Sequence, residues 1–223
     1  MTRNTNISLK TQRLTTTGIM LGLATAVAVV CDFIPFLNLP FGGTITIASM
    51  VPVMILSYMY GIRWGFLSAF AYSLIQIIVS IITGSTVKAL FTPTDDSYMG
   101  IGIAFAVILI DYVAAYTALG AAGLFRNRIK SKTAAITAGI AVALSLCYLA
   151  HIISGYIFYG AWAEWFFETV GMGWVLETFT GGLLKWIYTI VYNGCYMIPE
   201  IVISVSAGIA VSRIPQIRKA DAD

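Results

Sequence analysis

Charge is what this sequence has least of. Only 10% of its 223 residues are Asp, Glu, Lys or Arg, while 59% are hydrophobic, a balance far from that of a water-soluble domain. Lipid must be the main solvent. Cys31, Cys147 and Cys195 stand isolated in apolar runs, without CxxC or Cys/His ligand spacing, which argues against a disulfide framework and a zinc site. There is no GxxxxGK[ST] loop, so the chain has no usual phosphate cradle for hydrolysing ATP itself. There is also no GxSxG elbow, HExxH helix or closely spaced carboxylate pair. The expectation is therefore a protein that is not an enzyme and needs no metal or cofactor.

What is present is a series of apolar runs near the roughly 20 residues that a spanning helix needs. They cover about 16–36, 47–60 (short), 64–84, 99–125, 133–159 and 181–214, separated by turn or charge signals such as NLPFGG, G-I-R-W-G and RNRIKSK. The first run lacks a small-residue cleavage site and is read as a retained helix. Of the 13 basic residues, all but Lys88 and Lys185 fall in the N-terminal segment, the turn at Arg63, the 126–132 loop and the C-terminus. Alternation puts all four on one side of the membrane, leaving Asp95, Asp96, Glu164, Glu168 and Glu177 on the other. The expected fold is an all-α membrane protein, a bundle of six transmembrane helices with both ends cytoplasmic: segment 1–15, membrane domain 16–214 and tail 215–223. The net charge of +3 reflects this topogenic bias, not a nucleic-acid surface.

An ionisable or strongly polar group within a span is costly unless it faces protein or water, so each is a functional candidate. Asp111 lies about 12 residues, roughly 18 Å, into the fourth run from its outer end. His151, the only histidine, lies about 8 residues below the outer end of the fifth run, and Asn193 about 12 residues into the sixth, near Tyr188. Helical spacing places Tyr148, His151 and Tyr159 near one face with Gly155 between them, and pairs Tyr112 with Tyr116 beside Asp111. A carboxylate, an imidazole, an amide and several phenol rings at matched depth suit a small aromatic cation, with the rings stacking and the acid pairing the charge. The bland alternative is that these groups only bond helices together. Glu200, deeper and after Pro199, is expected to pack or serve an interface, and Asp32 to be hydrated at its helix end. Gly18, Gly22 and Ala26 recur at four-residue spacing and leave a flat strip that suits either packing in the bundle or docking of a partner.

Several segments together resemble the thiamine-binding S components of energy-coupling factor (ECF) vitamin transporters. They are LIDYVAAYTALGAAGLFRNR, YLAHIISGYIFY, WIYTIVYNG and, in the first half, LPFGGTITIASMVPVMIL. The likeness covers roughly 10 to 215. It implies that Asp111 pairs with a thiazolium ring, Tyr112 lines the site, Tyr159 stacks, and His151, Tyr188 and Asn193 contact the pyrimidine or hydroxyethyl parts. It also implies that Gly18 and Gly22 belong to a docking strip for the transmembrane T component, which together with two ABC ATPase subunits drives release inward. Asp111 stands where the family commonly has Glu and Tyr159 where Trp is expected, and the 84–98 and 160–178 loops are longer, which leaves a thiamine precursor or another vitamin open as ligand. The competing function is a stand-alone proton-coupled carrier using Asp111, His151 and Glu200 as relay groups.

Overall fold

The computed structural model describes residues 9–39, 43–83, 86–95 and 98–219. Arg3, Pro40, Phe41, Gly42, Gly84, Asp96 and the outermost parts of both terminal segments lie outside them. The described residues form helices and no strand, with one isolated antiparallel bridge between Asn38 and Thr44.

The elements are α1 (Leu9–Asp32), α2 (Val51–Tyr60), α3 (Ile62–Thr83), the short α4 (Thr86–Leu90), α5 (Ile101–Phe125), α6 (Lys132–Ser154, continued by a wide turn over Gly155–Tyr159), α7 (Ala163–Thr169), α8 (Trp174–Thr178), α9 (Gly181–Val211) and α10 (Pro215–Lys219). Among the described residues, five helices are long and apolar enough to cross a membrane: α1, α3, α5, α6 with its continuation, and α9. Helix α2 is apolar but spans only roughly 15 Å at 1.5 Å per residue. It is stable at that length because the protein surrounds it: Val53, Met54, Ile55, Leu56, Ser57 and Tyr58 are all buried.

Small residues set the helix spacing, since helix association in lipid relies on close packing rather than on the hydrophobic effect. A Cβ on Gly139 of α6 would lie 2.0 Å from the carbonyl oxygen of Ala122, and one on Gly123 2.5 Å from that of Ser57. The Ser57 hydroxyl donates to the Gly120 carbonyl and accepts from the Gly123 amide, stitching α2 to the tight last turns of α5. At one end of the bundle Arg13 Nη2 donates to the Tyr60 carbonyl at 3.2 Å, and its guanidinium sits 3.8 Å over the Trp64 ring. The Thr133 and Ser212 hydroxyls meet at 2.9 Å, joining the start of α6 to the end of α9. Arg126 of the 126–132 loop reaches Gly61 at the α2–α3 turn, its Nη1 3.9 Å from where a Cβ there would lie, so these basic segments converge on one end.

Several boundaries differ from the sequence expectation. Helix α1 begins at Leu9, inside the segment assigned to a cytoplasmic arm, and its α-helix stops at Asp32 before a tight turn over Pro35–Leu37. The second helix begins at Val51 rather than Ile47. Ile47 and Ala48 take φ of 46° and 63°, a left-handed conformation that a helix cannot incorporate and that is costly for a β-branched residue. The stretch from 160 to 178 is not an open loop but includes α7 and α8, because Phe167 is fully buried and Phe166 packs on Tyr188 and Tyr192.

Candidate functional site

A cavity of about 870 Å³ opens among α1, α3, α5, α6, α9 and the segment preceding α2. Helix α5 is α-helical to Val107 and then widens into a π-type turn over Ile108–Ala114, which carries Asp111 and Tyr112. Helix α6 widens in the same way over Gly155–Tyr159. Such widened turns are rare and recur at functional sites, because the extra residue redirects side chains. Here both border the same cavity.

Asp111 is not the unpaired acid that its depth suggests. His151 Nδ1 lies 2.9 Å from its Oδ1, and Ser154 Oγ donates to Oδ2 at 2.6 Å. When the carboxylate is ionised it can only accept, and Nδ1 of His151 is then the donor in this pair. The two side chains remain 18% and 14% exposed, which leaves the carboxylate a face toward the cavity. On the far side of the imidazole, Nε2 lies 3.6 Å from Cys147 Sγ, and the Tyr196 ring meets the imidazole edge-on at 5.9 Å between centroids.

Asn193 is held from both ends. Its Nδ2 donates to the carbonyl of Thr189 at 2.8 Å and more weakly to that of His151 at 3.4 Å, while its Oδ1 accepts from the Tyr196 hydroxyl at 2.6 Å. Gly155 permits this approach, since a Cβ there would lie 2.8 Å from the Thr189 side chain. Tyr112 meets the Ser80 hydroxyl at 3.0 Å, and that hydroxyl accepts from the Val87 amide. Tyr188 and Tyr192 lie 5.8 Å apart under Phe166 of α7, so α7 roofs the aromatic wall. Tyr159 packs toward Leu90, Ala104 and Val107.

Of the residues singled out from sequence, Asp111, Tyr112, His151, Tyr159, Tyr188 and Asn193 all line the cavity. Tyr148 is not among the lining residues. Its hydroxyl donates to the Ile190 carbonyl at 2.6 Å, tying α6 to α9, and Cys147 takes the place expected for it. One residue along a helix turns the side chain by about 100°, enough to move it from cavity to helix interface. Ser154 was not anticipated, although it stands three residues from His151; Tyr196, expected close to Asn193, also lines the cavity.

Glu200 and Asp32 also line the cavity. Glu200 is 1% exposed and accepts from the amides of Thr46 and Ala48 at 2.9 and 3.1 Å, from the Thr46 hydroxyl at 3.1 Å and from Ser204 Oγ at 3.0 Å. It fastens the left-handed 47–48 turn to α9, and the turn's neighbours Thr44, Thr46, Ser49 and Met50 form part of the cavity wall. Among the described residues the lining holds four carboxylates, Asp32, Asp95, Asp111 and Glu200, and neither Lys nor Arg. Among the described residues no three His, Cys, Asp or Glu side chains are grouped as a metal centre requires.

An acidic, aromatic cavity inside an apolar helix bundle suits a small cation-bearing ring compound, and comparison with known proteins gives this chemistry a family. The family described as Thiamine transporter protein (Thia_YuaJ) matches residues 18–218. The chain belongs to that family. It is 28% identical to the thiamine transporter ThiT of Bacillus subtilis (strain 168), over 83% of this chain and 84% of that one. Its fold is that of a solved structure of ThiT from Listeria monocytogenes, with a TM-score of 0.52 and 20% identity, covering 87% of this chain and 91% of that one. The family match covers every described residue that lines the cavity, and Asp111, His151 and Asn193 fall well inside it.

Proposed function

We propose that this protein is the substrate-binding S component of an ECF-type transporter, capturing thiamine or a close precursor from outside the cell for ATP-driven uptake by partner subunits. The observation that carries this reading is the Asp111 carboxylate, held by His151 and Ser154 within a cavity walled by tyrosines. A fixed acid beside aromatic faces is the complement of a thiazolium ring, whose permanent positive charge needs a counter-ion and whose flat faces gain from stacking. In this reading Tyr112, Tyr159, Tyr188 and Asn193 contact the ligand alongside Asp111 and His151, while Tyr148 supports the wall from behind.

The bundle has six membrane helices, α2 being the short one, with both ends cytoplasmic and the cavity opening outward. The basic segments that converge at one end support this orientation. Gly18, Gly22 and Ala26 are exposed on α1, and a Cβ at either glycine would meet nothing within 4 Å. That free strip is where the T component of the transporter docks, bringing two ABC ATPases. The protein itself lacks the phosphate-binding loop needed to supply the energy.

Reconstitution tests the assignment. Liposomes carrying this protein alone bind labelled thiamine but do not concentrate it, with or without a pH gradient; adding the T component, the two ATPases and ATP gives accumulation. Accumulation by the protein alone under a pH gradient would overturn the S-component reading in favour of a proton-coupled carrier.

A further inference from the structure

Gln76 belongs to none of the groups described above. It sits on α3, is 8% exposed and lines the cavity, yet its Nε2 has no hydrogen-bond partner. Buried polar groups are nearly always paired, because an unmet N–H forfeits its bonds to water without replacement. A side chain kept in that condition at a cavity wall is explained if its partner arrives with the ligand.

The surroundings define that partner. One helical turn along the same face, Ser80 meets Tyr112, the neighbour of Asp111. Gln76 is therefore about 5–6 Å along the α3 axis from the level of the Ser80–Tyr112 contact, comparable with the separation of two rings joined by one carbon. One turn in the other direction is Tyr72, edge-on to Tyr116 at 5.6 Å, and both rings line the cavity. Among the described residues the lining carries carboxylates and no Lys or Arg, so an anion is disfavoured there. An uncharged amide donor beside aromatic edges fits a neutral nitrogen heterocycle, whose ring nitrogen accepts in plane.

Building on the thiamine reading, we propose that Gln76 is a specificity-determining contact whose Nε2 donates to a ring nitrogen of the ligand's uncharged aminopyrimidine half, while Asp111 pairs with the cationic half. Gln76 thus distinguishes a pyrimidine from a plain aromatic ring of the same shape.

The test compares wild type with Gln76→Leu, which keeps the bulk and removes the donor, and with Gln76→Met as a more adaptable apolar replacement. Ligand-free melting temperature is measured for each, together with calorimetric affinity for thiamine and for a thiamine analogue with CH in place of both pyrimidine ring nitrogens. The expected result is an unchanged or higher melting temperature, a 10- to 100-fold loss of thiamine affinity, and the same affinity as wild type for the analogue. Thiamine binding within twofold of wild type, an equal loss for the analogue, or a lower melting temperature in both variants would overturn the proposal. Wild-type binding of thiamine is the separate check on the underlying reading: if it is absent, that reading fails first and the proposal with it.

Discussion

His151 Nδ1 and Asp111 Oδ1 stand 2.9 Å apart, joining α6 to α5 across the cavity wall, and Ser154 one turn along α6 takes the other carboxylate oxygen. Two donors from one helix therefore fix the position of an acid on another. If their task is to aim that acid at a cation, loosening them should cost ligand affinity before it costs the fold. Ser154→Ala removes one hydrogen bond to a charged group, worth about 1.5–3 kcal/mol, and is expected to weaken thiamine binding by about tenfold or more. His151→Ala should cost at least as much. Calorimetric titration of each variant, with elution volume and circular dichroism as fold controls, checks this.

Glu200 makes a different kind of prediction, because its partners lie mainly in the chain before α2. Glu200→Ala would leave the amides of Thr46 and Ala48 without their acceptor. With about 1–3 kcal/mol per buried donor left unpaired, the left-handed turn at Ile47 and Ala48 loses its anchor. Hydrogen exchange is expected to rise across 43–50 in the variant while the ends of α3 and α6 stay protected.

Packing at Gly139 allows no side chain. A Cβ there meets the Ala122 carbonyl at 2.0 Å, and backbone cannot swing aside as a flexible side chain can. Gly139→Val should therefore separate α6 from α5 and destabilise the protein by more than the roughly 1–3 kcal/mol typical of overpacking, read as a lower melting temperature in detergent. Gly102→Ala, at a glycine with open space around it, serves as the neutral control.

The strip on α1 separates capture from delivery. Gly18→Phe and Gly22→Phe add bulk where nothing lies within 4 Å, so thiamine affinity in detergent is expected to stay within twofold of wild type. Co-purification with the T component and ATP-driven uptake should both fall by about tenfold or more if this face is where close helix approach occurs. Unchanged uptake would remove the strip from the docking account.

Hydropathy and charge made the long helices and the convergence of the basic segments legible, because span length and topogenic charge are properties of composition along the chain. The grouping of Asp111, His151 and Asn193 around one cavity was legible for the same reason, each being a polar interruption at a countable distance from a helix end. Azimuth was not. The widened turns of α5 and α6 redirect side chains, and Cys147 rather than Tyr148 reached the cavity because adjacent residues of a helix differ by about 100°. The anchoring of Thr46 and Ala48 by Glu200 joins residues more than 150 positions apart, and no local pattern announces such a contact. Gln76 escaped notice because an amide within an apolar run reads as a helix-packing group until its surroundings show that Nε2 has no partner.

The most direct measurement is a calorimetric titration of the purified protein with thiamine, run side by side with Asp111→Asn, which keeps the shape of the side chain and removes its charge. The account predicts saturable binding at one thiamine per chain for wild type and at least about a tenfold weaker affinity, or 1.4 kcal/mol, for the variant. An absence of saturable binding by folded wild type, or equal affinity in the two proteins, would contradict it.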